Sequence, residues 1–300
     1  MKILVTGSNG MIGKKLLIVL RNKNHYVREF DLSNGKDITK LQDCLPACKD
    51  MQIVVHCAAT LDEDNSKLFE INVQGTKNIF EASVKNKVER VIHLSSVGVY
   101  GNAETELTEE SEKRPVTKYE KSKTKAEEIV EEFQEQISVT MLRPAIVIGP
   151  NKYWKEIIRK IKSGFPVIGS GENTWQTVYS EDVVNAIVFC IEHEEETSGE
   201  TFNIAEEKAS TLNEVVETLA SELKINKKTK HIPVWMGTIL GFLNGIVCVF
   251  TRKPNILSSE NIQRIIRNRR YSISKIKQLG WKPKYDMKTA LKITVKELEK

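Results

Sequence analysis

Residues 5–13, VTGSNGMIG, follow the apolar run KIL and open a stretch with one apolar stripe. Gly7, Gly10 and Gly13 decide how they are read. A strand that turns sharply into a helix needs residues without side chains at the turn. The helix N-terminus then offers free N–H groups and a positive dipole end to a pyrophosphate. A second run, YVREFD, ends at Asp31, eighteen residues after Gly13, close to the ~20 expected for the carboxylate that accepts ribose hydroxyls. This order predicts a dinucleotide site built from Gly7, Asn9, Gly10, Met11, Ile12, Gly13 and Asp31. A carboxylate there repels a 2′-phosphate, and Leu32 and Ser33 follow it rather than an arginine, so NAD is expected over NADP. Asp37 and Ile38 are placed to bracket the adenine.

Outward from the loop, short apolar runs alternate with helical patterns. KILVTG, YVREFD, MQIVVHCAA, RVIHLSS and SVTMLRP read as strands, and residues 12–21, 72–84 and 119–135 as helices. This alternation predicts a doubly wound α/β domain over 1–150. After the GP at 149–150 the pattern changes to a helix at 154–162, a short PVIG strand, a helix after Asp182, the strand TFNIA and a helix at 212–223. We read 151–300 as a smaller α/β substrate-binding region, with a segment at about 175–195 returning to the first domain.

Composition bounds the function. The chain has 300 residues, 28% of them charged, and 45 basic against 40 acidic residues give a net charge of +5, so small an excess that nucleic-acid binding gains little support. The basic run RIIRNRR at 264–270 reads as a solvated helix face. Five scattered cysteines argue against a disulfide framework and for a reducing compartment. Cys44 and Cys48 lack a second ligand pair, so no metal site is expected. The first residues form a strand with no signal-peptide pattern, and the cytoplasm is the expected location.

YEKSK places Tyr119 and Lys123 four residues apart, on one helix face. Lowering a tyrosine by three pKa units from near ~10 takes roughly 4 kcal/mol of preferential phenolate stabilisation. An ammonium one turn away and a nicotinamide ring are the expected sources. Tyr119 would then exchange a proton with a substrate oxygen during hydride transfer, Lys123 would reach the nicotinamide ribose, and Ser96, at a strand end, would hold the same substrate oxygen.

At these residues the sequence resembles the extended short-chain dehydrogenase/reductase family, the NAD-dependent epimerases and dehydratases. The resemblance rests on VTGSNGMIG, Asp31, the DI at 37–38, HCAA at 56–59, NVQGT at 72–76, LSSVGVYG, YEKSK followed by Ala126 and Glu127, LRP, VYSEDV at 178–183, FNIA and SKIKQLGWKP. It implies a Rossmann-type domain, the catalytic set Ser96, Tyr119 and Lys123, cofactor contacts that include Ala58, Ala59 and Asn72, and a homodimer. Val97 and Gly98 stand where dehydratases carry an Asp and a Glu. Ile146 and Trp175 stand where nucleotide-sugar epimerases place an Asn and an Arg on the diphosphate, and both are candidate substrate contacts. Indole offers one N–H and isoleucine none. The chain is thus more similar to the 3β-hydroxysteroid dehydrogenase and dihydroflavonol reductase branch. The expected reaction is reversible NAD-linked oxidation of a secondary alcohol on an apolar substrate. A UDP-sugar 4-epimerase with retained NAD and a non-catalytic dinucleotide sensor are the alternatives.

One run stands apart. VWMGTILGFLNGIVCVF, 234–250, holds no charge and repeats glycine at 237, 241 and 245. Its length is at the short end for a bilayer span, and both flanks are basic. It reads as an apolar wall or lid over the substrate that also touches a membrane surface.

Overall fold

A computed structural model describes residues 1–102, 105–226, 229–251 and 259–299, with only the backbone described over 243–251 and 259–261. β1 (Lys2–Thr6), β2 (Tyr26–Phe30), β3 (Ile53–His56), β4 (Arg90–Leu94) and β5 (Ser138–Pro144) form a parallel sheet with the strand Thr201–Ile204. The order is β2-β1-β3-β4-β5 and then Thr201–Ile204. Parallel strands are covered on both faces, so near-continuous apolar runs such as ILV and IVV suit them. Alternate residues supply the two cores. Ile3, Val5, Ile53, Val55 and Ile92 pack on one face, against Leu16 and Leu20 of α1 (Met11–Asn22). Leu4, Val54 and Val91 pack on the other, against Ile79 and Phe80.

Three more helices complete the cofactor half: α2 (Leu41–Cys48), α3 (Gly75–Lys85) and α4 (Lys118–Phe133). The segment expected to be helical from Asn72 is a π turn over Glu70–Gln74 before α3 begins. The sequence reading passed over α2, since Pro46 inside eight residues hides its period. Cys44 and Cys48 lie on it, both buried, and burial pushes the thiols up to about 12 and about 11. They pack as small apolar groups. Among the described residues no set of His, Cys, Asp and Glu side chains is gathered as metal ligands.

The chain then crosses the sheet's far edge. The helix Ser180–Glu192 packs on α1, and Thr201–Ile204 pairs with β5. A second, smaller core holds Trp154, Trp175, Tyr179, Leu212, Leu219 and Leu291. Around it are short pairings: Ile146–Ile148 with Thr177–Tyr179, Thr174–Trp175 with Ser210–Thr211, and Val167–Ile168 with His231–Ile232. Asp182, fully buried, accepts the N–H groups of Lys284 (2.9 Å) and Tyr285 (3.1 Å) and ties the C-terminal segment to the sheet half.

Candidate active site

From β1 the sheet continues to β2 on one side and to β3 on the other, and at the carboxyl ends of β1 and β3 this change of direction leaves a crevice. Gly7 lines it with φ +67°, and a Cβ there would lie 2.8 Å from the Ala58 nitrogen. Gly13 is needed for packing, because its Cβ would meet the Gly7 carbonyl oxygen at 2.1 Å. Gly10 caps α1, whose first turn has no acidic side chain, so the positive end faces the crevice with no carboxylate from its own helix. Ser8 Oγ is buried there without a partner. Asp31 accepts the Asn9 N–H at 3.0 Å, the Ser33 N–H at 3.0 Å and the Ser33 hydroxyl at 2.7 Å. Partial burial works against ionisation, but these hydrogen bonds and Lys14 outweigh it and hold the carboxyl below its ordinary value. A tight glycine turn, an open helix end and an ionised acid fit a dinucleotide.

The remaining expected cofactor residues differ in exposure. Met11 and Ile12 start α1, with Ile12 buried, and Ala58 and Ala59 border the crevice after β3. The Thr6 hydroxyl contacts His56 Nδ1 at 2.7 Å and accepts the Ala58 N–H at 3.2 Å. His56 in turn meets the Thr76 hydroxyl at 3.1 Å, and burial lowers its pKa to about 3. Asp37 turns its carboxylate onto the N–H and hydroxyl of Thr39, and Ile38 packs into the core beside Gly75. Asn72 is 1% exposed, with its amide bonded to Thr60 N–H and C=O and to the Ser122 hydroxyl. Its place is therefore a strut between the loop after β3 and α4, not a surface open to the cofactor. A π turn at such a position is common in functional sites.

Across the crevice, Ser96 closes the segment after β4 and accepts the Gly98 N–H at 3.0 Å. The Ser96 hydroxyl also lies near enough to the Tyr119 phenol to favour its ionised form. Burial raises the phenol above its ordinary value, opposed by Ser96 and by the charge of Arg264. The Lys123 ammonium donates to the Leu94 carbonyl at 2.8 Å, and Arg264 adds a positive charge that favours the phenolate. Burial lowers Lys123 to about 8.

Ion pairs hold α4 at two places. Thr117 and Glu120 form a capping box at its start, and Glu120 also takes Arg267 Nη1 at 2.7 Å, both side chains being nearly fully buried. Further on, fully buried Glu127 binds Arg143 through two bonds of 2.9 and 2.8 Å, Ser95 at 2.5 Å and Lys113 at 2.9 Å. LRP therefore matters through its arginine, which a strand reading of SVTMLRP does not single out.

The C-terminal arginines change the picture of the substrate side. RIIRNRR is not a solvated helix face. Arg267 is buried on Glu120, Arg264 pairs with Glu63 at 3.2 Å, and the Arg269 guanidinium lies 5.2 Å from the Trp175 ring centre. Arg269 Nη2 donates to the Arg264 carbonyl at 2.6 Å, while its Nη1 is buried with no hydrogen-bond partner among the described residues. Trp175 itself is 4% exposed and donates Nε1–H to the Ile265 carbonyl at 3.2 Å, so its ring belongs to the smaller core. Ile146 is partly buried against that core.

Residues 3–205 match the model of the NAD dependent epimerase/dehydratase family. The chain belongs to this family. It is 25% identical to an N-acetyl-alpha-D-glucosaminyl-diphospho-ditrans,octacis-undecaprenol 4-epimerase of Escherichia coli O157:H7, over 98% of this chain and 94% of that protein. It is also 25% identical to the decarboxylating sterol-4-alpha-carboxylate 3-dehydrogenase of Mus musculus, over 98% of this chain and 90% of that protein. A crystal structure of UDP-glucose 4-epimerase from Thermotoga maritima with UDP-glucose superimposes with a TM-score of 0.80 at 24% identity, covering 100% of this chain and 99% of that one. That last likeness is one of fold. The family is one of NAD-dependent enzymes, and this chain is an enzyme of the extended short-chain dehydrogenase type.

Proposed function

We propose that this family member is an NAD-linked 4-epimerase of a sugar joined through a diphosphate to a long apolar carrier, with NAD preferred to NADP. The observation that carries the substrate class is Arg269. The sequence reading discounted a diphosphate because Ile146 and Trp175 supply no grip. Arg269 brings a guanidinium across the Trp175 ring, and one of its nitrogens has no partner among the described residues. A buried donor in that state costs about 1–3 kcal/mol until an acceptor meets it, and a phosphate oxygen matches a guanidinium well. The name of the Escherichia coli relative joins the same two features, a diphosphate and a polyprenyl chain.

When bound, nicotinamide supplies the hydride acceptor and donor. Tyr119 Oη would accept the proton of the sugar hydroxyl when the carbinol carbon is oxidised and return it when the alcohol re-forms with inverted configuration. Ser96 holds the same oxygen. Lys123, one helical turn from Tyr119 and anchored on the Leu94 carbonyl, would hold the nicotinamide ribose. Asp31 would accept the adenosine ribose hydroxyls, and its charge would disfavour a 2′-phosphate.

A second reading, oxidation of a sterol-like secondary alcohol, is favoured by Ile146, by the apolar run at 234–250 and by the mouse relative. Three substrates separate the two: a polyprenyl-diphosphate N-acetylhexosamine, a UDP-N-acetylhexosamine and a 3β-hydroxysterol, each followed for epimer and for NADH. The proposal expects epimer without net NADH from the polyprenyl substrate, and about a hundredfold loss in Arg269→Met, the scale of a charge-assisted hydrogen bond of up to ~3 kcal/mol. Stoichiometric NADH from the sterol, unchanged in Arg269→Met, would establish the second reading instead.

A further inference from the structure

We propose that the helix Val234–Thr251 lies flat on an anionic bilayer, as an interfacial helix that docks the enzyme without crossing the membrane. Its two described faces differ. Gly237 and Gly241 are buried, and a Cβ on Gly237 would meet Ile168 at 2.8 Å, so this glycine face lets the helix settle closely on the body of the protein. The opposite face holds Trp235, Ile239 and Phe242, at 64%, 52% and 72% exposure, with Leu240 at 45% beside them. Positions 235, 239 and 242 fall on one side of a helix. Four large apolar side chains facing outward in one cluster mark an interaction surface.

Charge identifies the occupant. Between Leu223 and Ser259 the sequence has no acidic residue, while Lys224, Lys227, Lys228 and Lys230 precede the helix and Arg252 and Lys253 follow it. Apolar residues with an outward tryptophan between basic flanks match the chemistry of an acyl and headgroup boundary carrying anionic lipid. Each basic residue near such a surface contributes about 1 kcal/mol. A second copy of this chain would bring the same positive charge against itself. Basic residues on both sides also fail to favour either spanning orientation.

The placement serves the site. The helix packs on the helix Ser259–Ile266, which carries Arg264 and leads into Arg267 and Arg269. Docking would therefore set the arginine wall near the lipid surface. It holds whichever lipid-borne alcohol is turned over, so its failure would leave the catalytic assignment standing.

The test is flotation of the purified full chain with vesicles of phosphatidylcholine alone or with one-third phosphatidylglycerol, without substrate. Trp235→Ser/Phe242→Ser is compared at equal NAD affinity, which reports an intact fold. The expected result is flotation with the anionic vesicles, weakening with salt, and at least about tenfold lower partitioning for the double variant. Wild-type protein left unbound by anionic vesicles, or equal partitioning of the variant, would overturn the proposal. So would a vesicle-free dimer that the double substitution turns into a monomer, which would assign the face to a second copy. Protein that resists alkaline carbonate extraction would show a spanning helix and overturn it as well.

Discussion

Tyr119 is the proposed proton carrier, and its surroundings are more specific than YEKSK indicates. The sequence placed a tyrosine and a lysine on one helix face and a serine at a strand end. It did not show that Lys123 points to the Leu94 carbonyl or that Arg264 supplies the nearby positive charge, because both depend on distant segments. Tyr119→Phe keeps the ring and removes the proton carrier, so turnover is expected to fall by about 10²–10⁴, the usual range for general acid–base groups, with NAD affinity unchanged by calorimetry. Lys123 gives a pH-dependent prediction. Its folded value of about 8 lies below the ordinary lysine value of 10.5. Below pH 8 both folded and unfolded chains carry the proton, and burying the charge is fully unfavourable. Between pH 8 and 10.5 the unfolded chain binds more protons, so stability rises with pH. Lys123→Met is therefore expected to be more stable than wild type at pH 7 by roughly 3 kcal/mol, with the gap closing toward pH 10.5 in urea titrations. A constant gap across that range would contradict a buried ammonium.

The elements of the cofactor half were the most legible part, for a physical reason. Strand runs, glycine turn and Asp31 are local signals, and each strand's alternate residues feed two separate cores. Helix α2 escaped because Pro46 interrupts it, and the π turn at Glu70–Gln74 escaped because hydrophobic period does not distinguish it from an α-helix. Gly13 gives the clearest test of the loop. A methyl group there would have to share space with the Gly7 carbonyl, so Gly13→Ala is expected to weaken NAD binding by at least tenfold and to lower stability by 1–3 kcal/mol, the range for overpacking, roughly. Helix α4 depends on Glu127. Glu127→Gln leaves Arg143 buried with a neutral partner, and about 3–5 kcal/mol of stability is expected to be lost in denaturant melts. A loss under 1 kcal/mol would mean that the pair does not hold the helix.

At the scale of the whole molecule, segments far apart in sequence meet around one crevice. The sequence reading could not assemble the arginine wall. RIIRNRR has the look of a solvated face until Glu120, Glu63 and Trp175 are brought against it. Arg267→Met is expected to unfasten the start of α4 from this wall, leaving Glu120 buried and unpaired, and to lower turnover more than NAD affinity. Equal losses in both would place Arg267 with the cofactor instead. The family assignment and the fold leave the hydride path as the central claim. The direct measurement is single-turnover chemistry on a polyprenyl-diphosphate N-acetylglucosamine with deuterium on C4. If the account holds, deuterium is retained at C4 of the epimer, appears transiently on the nicotinamide, and moves in wild-type protein but not in Tyr119→Phe. Loss of deuterium to water, or equal transfer in Tyr119→Phe, would contradict it.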